Sequence, residues 1–201
     1  MPSISYDAFA AWSNYHLTVG DAPQGELFPK ITVQSLARVH AADIEDPSGL
    51  LRFAATGEVL CRHLGRKPVP REQRSIVGRG WSFSPLIGSP DSQLQCEGLA
   101  GIGILNKVDL DSNCRISIDS IALASGGTRL RELTAWASRR GRSIMTSGTH
   151  LGMSIAGGFG TASHGSRLGY GGIQNMVLGM HLLVGEKEHV WIERESSPVL
   201  S

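Results

Sequence analysis

The sequence predicts an α+β domain, and three stretches carry that prediction. Arg74-Ser-Ile-Val-Gly78 reads as a short buried strand that runs straight into the glycine turn Gly78-Arg-Gly-Trp-Ser82. Leu130, Leu133 and Ala137 fall on one face of a helix. Met176–Val184 is a nearly continuous apolar run that turns at Gly185-Glu-Lys187 into His189-Val-Trp-Ile-Glu193. That last pattern is a hairpin placing a buried strand inside a mixed sheet.

Between these anchors the elements follow in order. Residues 1–30 read as loop-rich, with turns at Gly20, Pro23, Gly25 and Pro29. Residues 31–64 read as mostly helical, broken at Asp46-Pro-Ser-Gly49, and Pro68 and Pro70 end that region. The step from helix to strand to glycine turn suggests a nucleotide-binding unit. Lys107-Val-Asp-Leu110 and Arg115-Ile-Ser-Ile-Asp119 alternate apolar and polar residues around Asp111-Ser-Asn113, which predicts a hairpin. A strand near Ala122 runs into Gly126-Gly127, after which Thr128 caps the 130–137 helix and Gly141 closes it.

With 201 residues there is room for one domain, or for two small subdomains sharing a core. Hydrophobic residues at 41% and charged residues at 18% suit a soluble globular chain. Nineteen basic and 18 acidic residues leave a net charge of +1, which is no electrostatic footprint for nucleic acid or an anionic membrane. The one basic cluster, Arg139-Arg-Gly-Arg142, falls where the helix ends and complements its dipole. Cys61, Cys96 and Cys114 are odd in number and widely spaced, so reduced thiols are expected rather than a disulfide framework or a zinc site. There is no secretory signal pattern and no apolar stretch near the ~20 residues of a membrane span. A cytoplasmic protein is the expectation.

The densest information lies in residues 148–165, where six of 18 residues are glycine and most of the rest are small or hydroxylated. No ordinary helix or strand is written this way. Glycine lets a main chain press against a ligand, and successive turns aim N–H groups inward as an anion nest. Leu151, Met153, Ile155 and Phe159 separate this stretch from a flexible linker, which would be polar throughout. A loop shaped around a large phosphorylated cofactor is the expectation.

Several short signatures fail. There is no Gly-x-x-x-x-Gly-Lys-Ser/Thr loop, and Phe83 stands where Gly-x-Gly-x-x-Gly needs its last glycine. Asp109-x-Asp111-x-Asn113 opens like a calcium loop, but Cys114 and Ser120 stand where glycine and glutamate belong, so a plain turn is expected. Gly152-Met-Ser154-Ile-Ala156 is one residue from a hydrolase nucleophile elbow, yet glycines crowd both sides where a strand and a helix should stand. His150 and His164, 14 residues apart with no cysteine or carboxylate beside them in the loop, make a poor metal set. Each serves as readily to bond the backbone of a tight loop.

Taken together, the two glycine segments resemble one family. Val77-Gly-Arg-Gly-Trp-Ser-Phe-Ser-Pro85 resembles the pyrophosphate loop of the vanillyl-alcohol oxidase and p-cresol methylhydroxylase (PCMH-type) FAD-binding domain. Thr149–Gly165, with Gly171-Gly172 and Val177–Gly185, resembles that family's second flavin loop and the strand behind it. Ser154-Ile-Ala-Gly-Gly-Phe-Gly-Thr-Ala-Ser-His-Gly165 is most similar to the sugar, alditol and aldonolactone oxidase branch, and Leu130–Ala137 resembles the helix between the loops. The resemblance covers roughly residues 25 to 195 and rests on several ordered motifs.

The resemblance implies two α/β subdomains with FAD between them: an N-terminal extension over 1–24, a first FAD-binding subdomain over 25–88, and a second, incomplete one over 89–201. It implies pyrophosphate at Gly78, Arg79, Gly80, Trp81 and Ser82. The rest of the cofactor would meet Gly148, Thr149, His150, Ser154, Gly157, Gly160, Thr161, Ser163, His164 and Gly165. It implies hydride transfer from a hydroxyl-bearing substrate of sugar, alditol or aldonolactone type to flavin N5, with oxygen as acceptor. Many members carry at the position of Trp81 a histidine that bonds covalently to the flavin. Tryptophan cannot, so dissociable FAD is expected. The substrate-binding cap, which holds the family's catalytic base, has no counterpart in this stretch, and no catalytic base is assigned. A truncated product or one subunit of a split enzyme is therefore expected, inactive alone and completed by a second polypeptide. The alternative is a non-catalytic module for flavin binding or interaction.

Overall fold

A computed structural model describes residues 3–12, 31–40, 57–62, 74–84, 87–184 and 188–200. Strands β1 (Ser3–Trp12), β2 (Ile31–His40), β3 (Arg74–Val77) and β4 (Ser92–Gly98) form one sheet in the order β1-β2-β4-β3. β1 is antiparallel to β2, while β4 runs parallel to both β2 and β3. Residues 57–62 form helix α1, whose Leu60 packs with Leu94 of β4, joined by Ile4, Cys96, Leu99 and Leu183.

This sheet changes two readings of the sequence. Residues 3–12 and 31–40 are strands, where loop and helix were expected. The two segments are register-paired from Ser3–His40 to Trp12–Ile31, and the β-branched Ile31, Thr32 and Val33 suit that pairing better than a helix. β4 pairs with both β3 and β2, so one sheet holds strands from either side of residue 88. The breaks expected at Asp46–Gly49, Pro68 and Pro70, and the turn at 185–187, lie outside the described residues.

Past β4 the chain makes a small pair of β5 (Ile102–Gly103) with β6 (Leu123–Ala124). The hairpin expected over 107–119 is absent. Lys107–Asp109 and Ile118–Ser120 are single 3-10 turns instead. Local side chains take the bonds a ladder would need: Asp109 accepts the Asn106 N–H (2.7 Å) and Asp111 that of Asn113 (2.7 Å). The expected plain turn at Asp111–Asn113 is thus present, while Leu110 pairs with Leu200 near the end of the chain.

Helix α2 (Leu130–Ser138) buries Leu130 and Ala137, with Leu133 alongside. Thr128 does not cap it. Its buried hydroxyl accepts from the Gly101 N–H and donates to the Gly101 carbonyl (3.0 Å each). The residue before the helix is Arg129, whose N–H is satisfied by Glu132 (2.8 Å). Gly141 closes the helix with φ +65°, as the Arg142 N–H folds back to the Ala137 carbonyl.

Strands β7 (Gly179–Leu183) and β8 (His189–Glu193) form the hairpin the sequence predicts, although among the described residues it stands as a two-stranded unit rather than in a mixed sheet. Its inner face carries Leu183 to the α1 cluster and Trp191 to a second cluster of Leu105, Ile121, Leu123 and Val199. The end of the chain is hooked to the hairpin by Glu193. Its carboxylate accepts from the Trp191 indole (2.7 Å) and from the N–H groups of Val199 (3.1 Å) and Leu200 (3.2 Å). No helix among the described residues is long and apolar enough to cross a membrane.

Burial and the nearby Asp111 would raise the Glu193 carboxyl, but those three donors outweigh them and hold it below its ordinary value. A carboxylate lowered in the folded state stabilises the fold at neutral pH, and that stability is lost as pH falls through the folded value. Glu193→Gln is expected to cost about 1–3 kcal/mol at neutral pH, since it weakens a charged acceptor serving three donors. It also flattens the acid limb of the stability profile. Thermal melts of both proteins between neutral and strongly acidic pH check this, and parallel curves would exclude Glu193 as the titrating hook.

Candidate functional site

The parallel strands β3 and β4 end side by side, and the segments that leave their C-terminal ends are the parts of a parallel sheet that contact ligands in open α/β folds. From β3 comes the loop 78–82. It is closed on one side by the segment 151–156, which lies along 126–131. The N–H groups of Leu130 and Arg131 reach the carbonyls of Met153 and Leu151, and those of Ile155 and Ala156 reach Thr128 and Gly126. This brings the two glycine segments together. A Cβ on Gly78 would stand 2.5 Å from Ser154 Oγ, and one on Gly152 would stand 2.6 Å from the Trp81 indole. His150 packs on Trp81 with ring centroids 3.7 Å apart. These glycines are needed because one loop presses on the other.

Residues 148–165 are not loop throughout. Helix α3 (Ile155–Gly160) begins inside them, capped by Ser154, whose Oγ accepts from the Gly157 N–H (3.2 Å). The helix absent from the elbow reading is therefore present, but Ser154 is 4% exposed and its hydroxyl is engaged in the cap. The first N–H groups of α3 are also taken, by Thr128, Gly126 and Ser154, which leaves no anion nest there.

The other residues expected at a cofactor fall into two groups. Gly80, with φ +67°, shapes the 78–82 turn, and no backbone carbonyl among the described residues accepts from the N–H groups of Arg79 or Gly80. The Arg79 side chain points neither to solvent nor into the loop. It binds the Glu97 carboxylate (2.9 Å), the Glu97 carbonyl (2.8 Å) and the Gly127 carbonyl (3.2 Å). Ser82 bonds locally to Ser84.

Past α3, Thr161 donates to the Gly157 carbonyl (3.0 Å) or shares a bond with Ser163 (3.2 Å), and Ser163 also reaches the Met153 sulfur (3.4 Å). Gly160 faces open space. Gly165 is tied to Thr146, His164 Nδ1 lies 3.0 Å from the Gly165 carbonyl, and Gly148 stands beside the His164 carbonyl. Thr149 and His150 are exposed. Sequence reasoning missed Ala162, which takes φ +52° directly after α3, a position where glycine is the usual signal.

The three cysteines are free. Burial raises the thiols of Cys61 and Cys96, the latter to about 11, so both stay protonated and weakly nucleophilic at neutral pH. Among the described residues no group of three metal-ligating side chains converges.

No protein-family model matches the chain, and no curated protein matches it significantly. Sixteen chains of solved structures do match. Cholesterol oxidase from B. sterolicum superposes with TM-score 0.58 at 13% identity, over 95% of this chain and 33% of the oxidase. Chitooligosaccharide oxidase gives 0.57 at 14% identity, over 92% and 32%. A histidine-to-alanine mutant of the Brevibacterium sterolicum cholesterol oxidase gives 0.56 at 12%, over 95% and 33%. The chain is thus a small fold of mixed α and β structure that matches part of these oxidases and spans about a third of their length. At such identities the likeness is one of fold.

Two substitutions test the local account. Ser154→Ala removes the α3 cap and is expected to cost about 1 kcal/mol, while the parent protein resists serine-directed phosphonates. Labelling of Ser154 would restore the hydrolase reading. Ala162→Gly relieves the left-handed backbone and is expected to raise stability by up to about 1 kcal/mol in denaturant titrations. A loss would show that the Ala162 methyl group contributes packing that outweighs its strain.

Proposed function

We propose that this chain is the FAD-binding portion of an FAD-dependent oxidoreductase. The observation that carries the reading is the contact between 78–82 and 149–154: two segments that resemble the two flavin loops of one family meet in a fold matching part of known oxidases. The donor chemistry fits the group. The 78–82 turn has N–H groups at Arg79 and Gly80 not used by backbone carbonyls among the described residues, which suits a pyrophosphate. Gly160 leaves room for close main-chain approach, and Thr161 and Ser163 offer exposed or half-buried hydroxyls. When bound, FAD supplies a two-electron acceptor for a hydroxyl-bearing substrate of sugar, alditol or aldonolactone type, with oxygen as final acceptor.

The chain's own part is to bind and orient. The first turn of α3 contributes packing rather than anion binding, because its N–H groups are already bonded. Arg79 contributes rigidity, fixing the loop to Glu97 and Gly127. Trp81 carries no group able to bond covalently to flavin, so the cofactor is held non-covalently.

A second reading, a non-catalytic flavin-binding or interaction module whose substrate half is a separate polypeptide, is favoured by one observation. The outer face of the hairpin exposes Met180, Val184 and Ile192 at 44%, 53% and 48%. Apolar surface grouped in this way marks a partner contact.

The absorbance spectrum of the purified chain with FAD, before and after acid precipitation, tests the first reading. Flavin bands should stay with the native protein and leave it on denaturation. Absence of binding would overturn the cofactor assignment for this chain, and flavin kept in the precipitate would overturn non-covalent attachment. Gly80→Val, which forces a β-branched residue to positive φ, is expected to weaken FAD about tenfold, or about 1.4 kcal/mol.

A further inference from the structure

His181 and His189 sit on neighbouring strands of the hairpin, on its inner face, with His181 Nε2 and His189 Nδ1 2.8 Å apart and the rings edge to face. One imidazole N–H donates to the bare nitrogen of the other, so the bond requires at least one neutral ring. The pair stands where the hairpin meets α1. His181 lies against Gly57, at which a Cβ would come within 2.9 Å of its Cε1. One helical turn on, Cys61 Sγ lies 3.7 Å from the Glu188 carbonyl, and Leu60 shares a cluster with Leu183. Three contacts thus dock the hairpin on α1, and the histidine bond stiffens the strand ends that make them.

We propose that the His181–His189 bond is an acid-sensitive latch, holding the β7–β8 hairpin on helix α1 while one ring is neutral and releasing it when both are protonated. Two imidazolium rings have no acceptor between them and repel each other across the former bond. Among the described residues, the elements packed around the pair carry these groups. From α1 come the buried thiol of Cys61 and, exposed, Glu58 and Arg62. From the hairpin come exposed Glu188 and, further along the same face, Trp191 and Glu193. From β4 comes Cys96, in the cluster with Leu60 and Leu183. Both thiols are held neutral by burial, and Glu193 is engaged at the far end of the strands by Trp191, Val199 and Leu200.

The direction of titration agrees with the geometry. Burial first, and the neighbouring His189 second, lower the His181 value below its ordinary 6.5. A lowered histidine binds its proton more tightly when released, so docking is strongest above about pH 6.5 and weakens as pH falls from there toward the folded value.

Cys61 reports the state of the latch, because it is buried under the docked hairpin. With Cys96 and Cys114 replaced by serine, an acid-active pyridyl disulfide reads Cys61 alone in the full-length chain. Relative to a free thiol, its labelling is expected to rise several-fold from about pH 8 to about pH 5. In His189→Asn, which keeps an acceptor but cannot take up a proton, the rise should be lost. No rise in the parent protein, or an equal rise in His189→Asn, would overturn the latch. Imidazole nitrogen NMR of the unsubstituted chain gives a second test. The hydrogen-bonded signal should vanish over the pH range in which labelling rises, and its persistence through that range would overturn the proposal.

Discussion

Ser154 is the point on which the arrangement of the candidate site depends. Its hydroxyl caps α3, its carbonyl accepts the Gly158 N–H, and its backbone forms a bridge with Arg129. Gly78, the first residue of the turn that follows β3, is packed against its side chain. One small hydroxylated residue therefore fixes the start of a helix, the seam between 126–131 and 151–156, and the distance between two loops far apart in sequence. A larger residue would push the 78–82 turn away, and an apolar one would leave a helix N–H unsatisfied. The buried Leu130, Ile155 and Ile173 beneath it hold that seam in place.

The same seam gives the glycines different tasks. Gly78 and Gly152 allow protein to approach protein, at Ser154 and Trp81. Gly160 faces open space, and Gly80 holds a left-handed turn. Of these four, it is Gly160 that has open space where a ligand can reach it. The glycine-rich stretch is therefore part packing device and part open surface, and its composition alone does not separate the two.

How much was legible follows from where the bonds are made. The 130–138 helix, its closure at Gly141, the short β3 strand (though not its burial, since Ile76 is 65% exposed) and the 179–193 hairpin were readable because each is written in a local period or a local turn residue. The first two long strands were not, since 3–12 and 31–40 are strands through their pairing with each other and with β4. The 107–119 region alternates like a hairpin, but Asp109 and Asp111 take its backbone donors and Leu110 finds its partner at Leu200. At the site, the meeting of the two glycine segments was legible as a resemblance, whereas the engagement of Arg79 with Glu97 was not. No spacing in the sequence announces a partner 18 residues away across two strand ends.

That ion pair has a consequence for how an anion would be held. The guanidinium of Arg79 has its charge matched by Glu97 at 2.9 Å and two further donors directed to carbonyls. A diphosphate lodged in the 78–82 turn would rest on uncharged main-chain dipoles, with no free cation drawn from this loop. Attraction of that kind acts over a few ångströms and is little weakened by mobile ions. Capture there would change little between dilute buffer and concentrated salt, unlike a pocket lined with unpaired lysine and arginine.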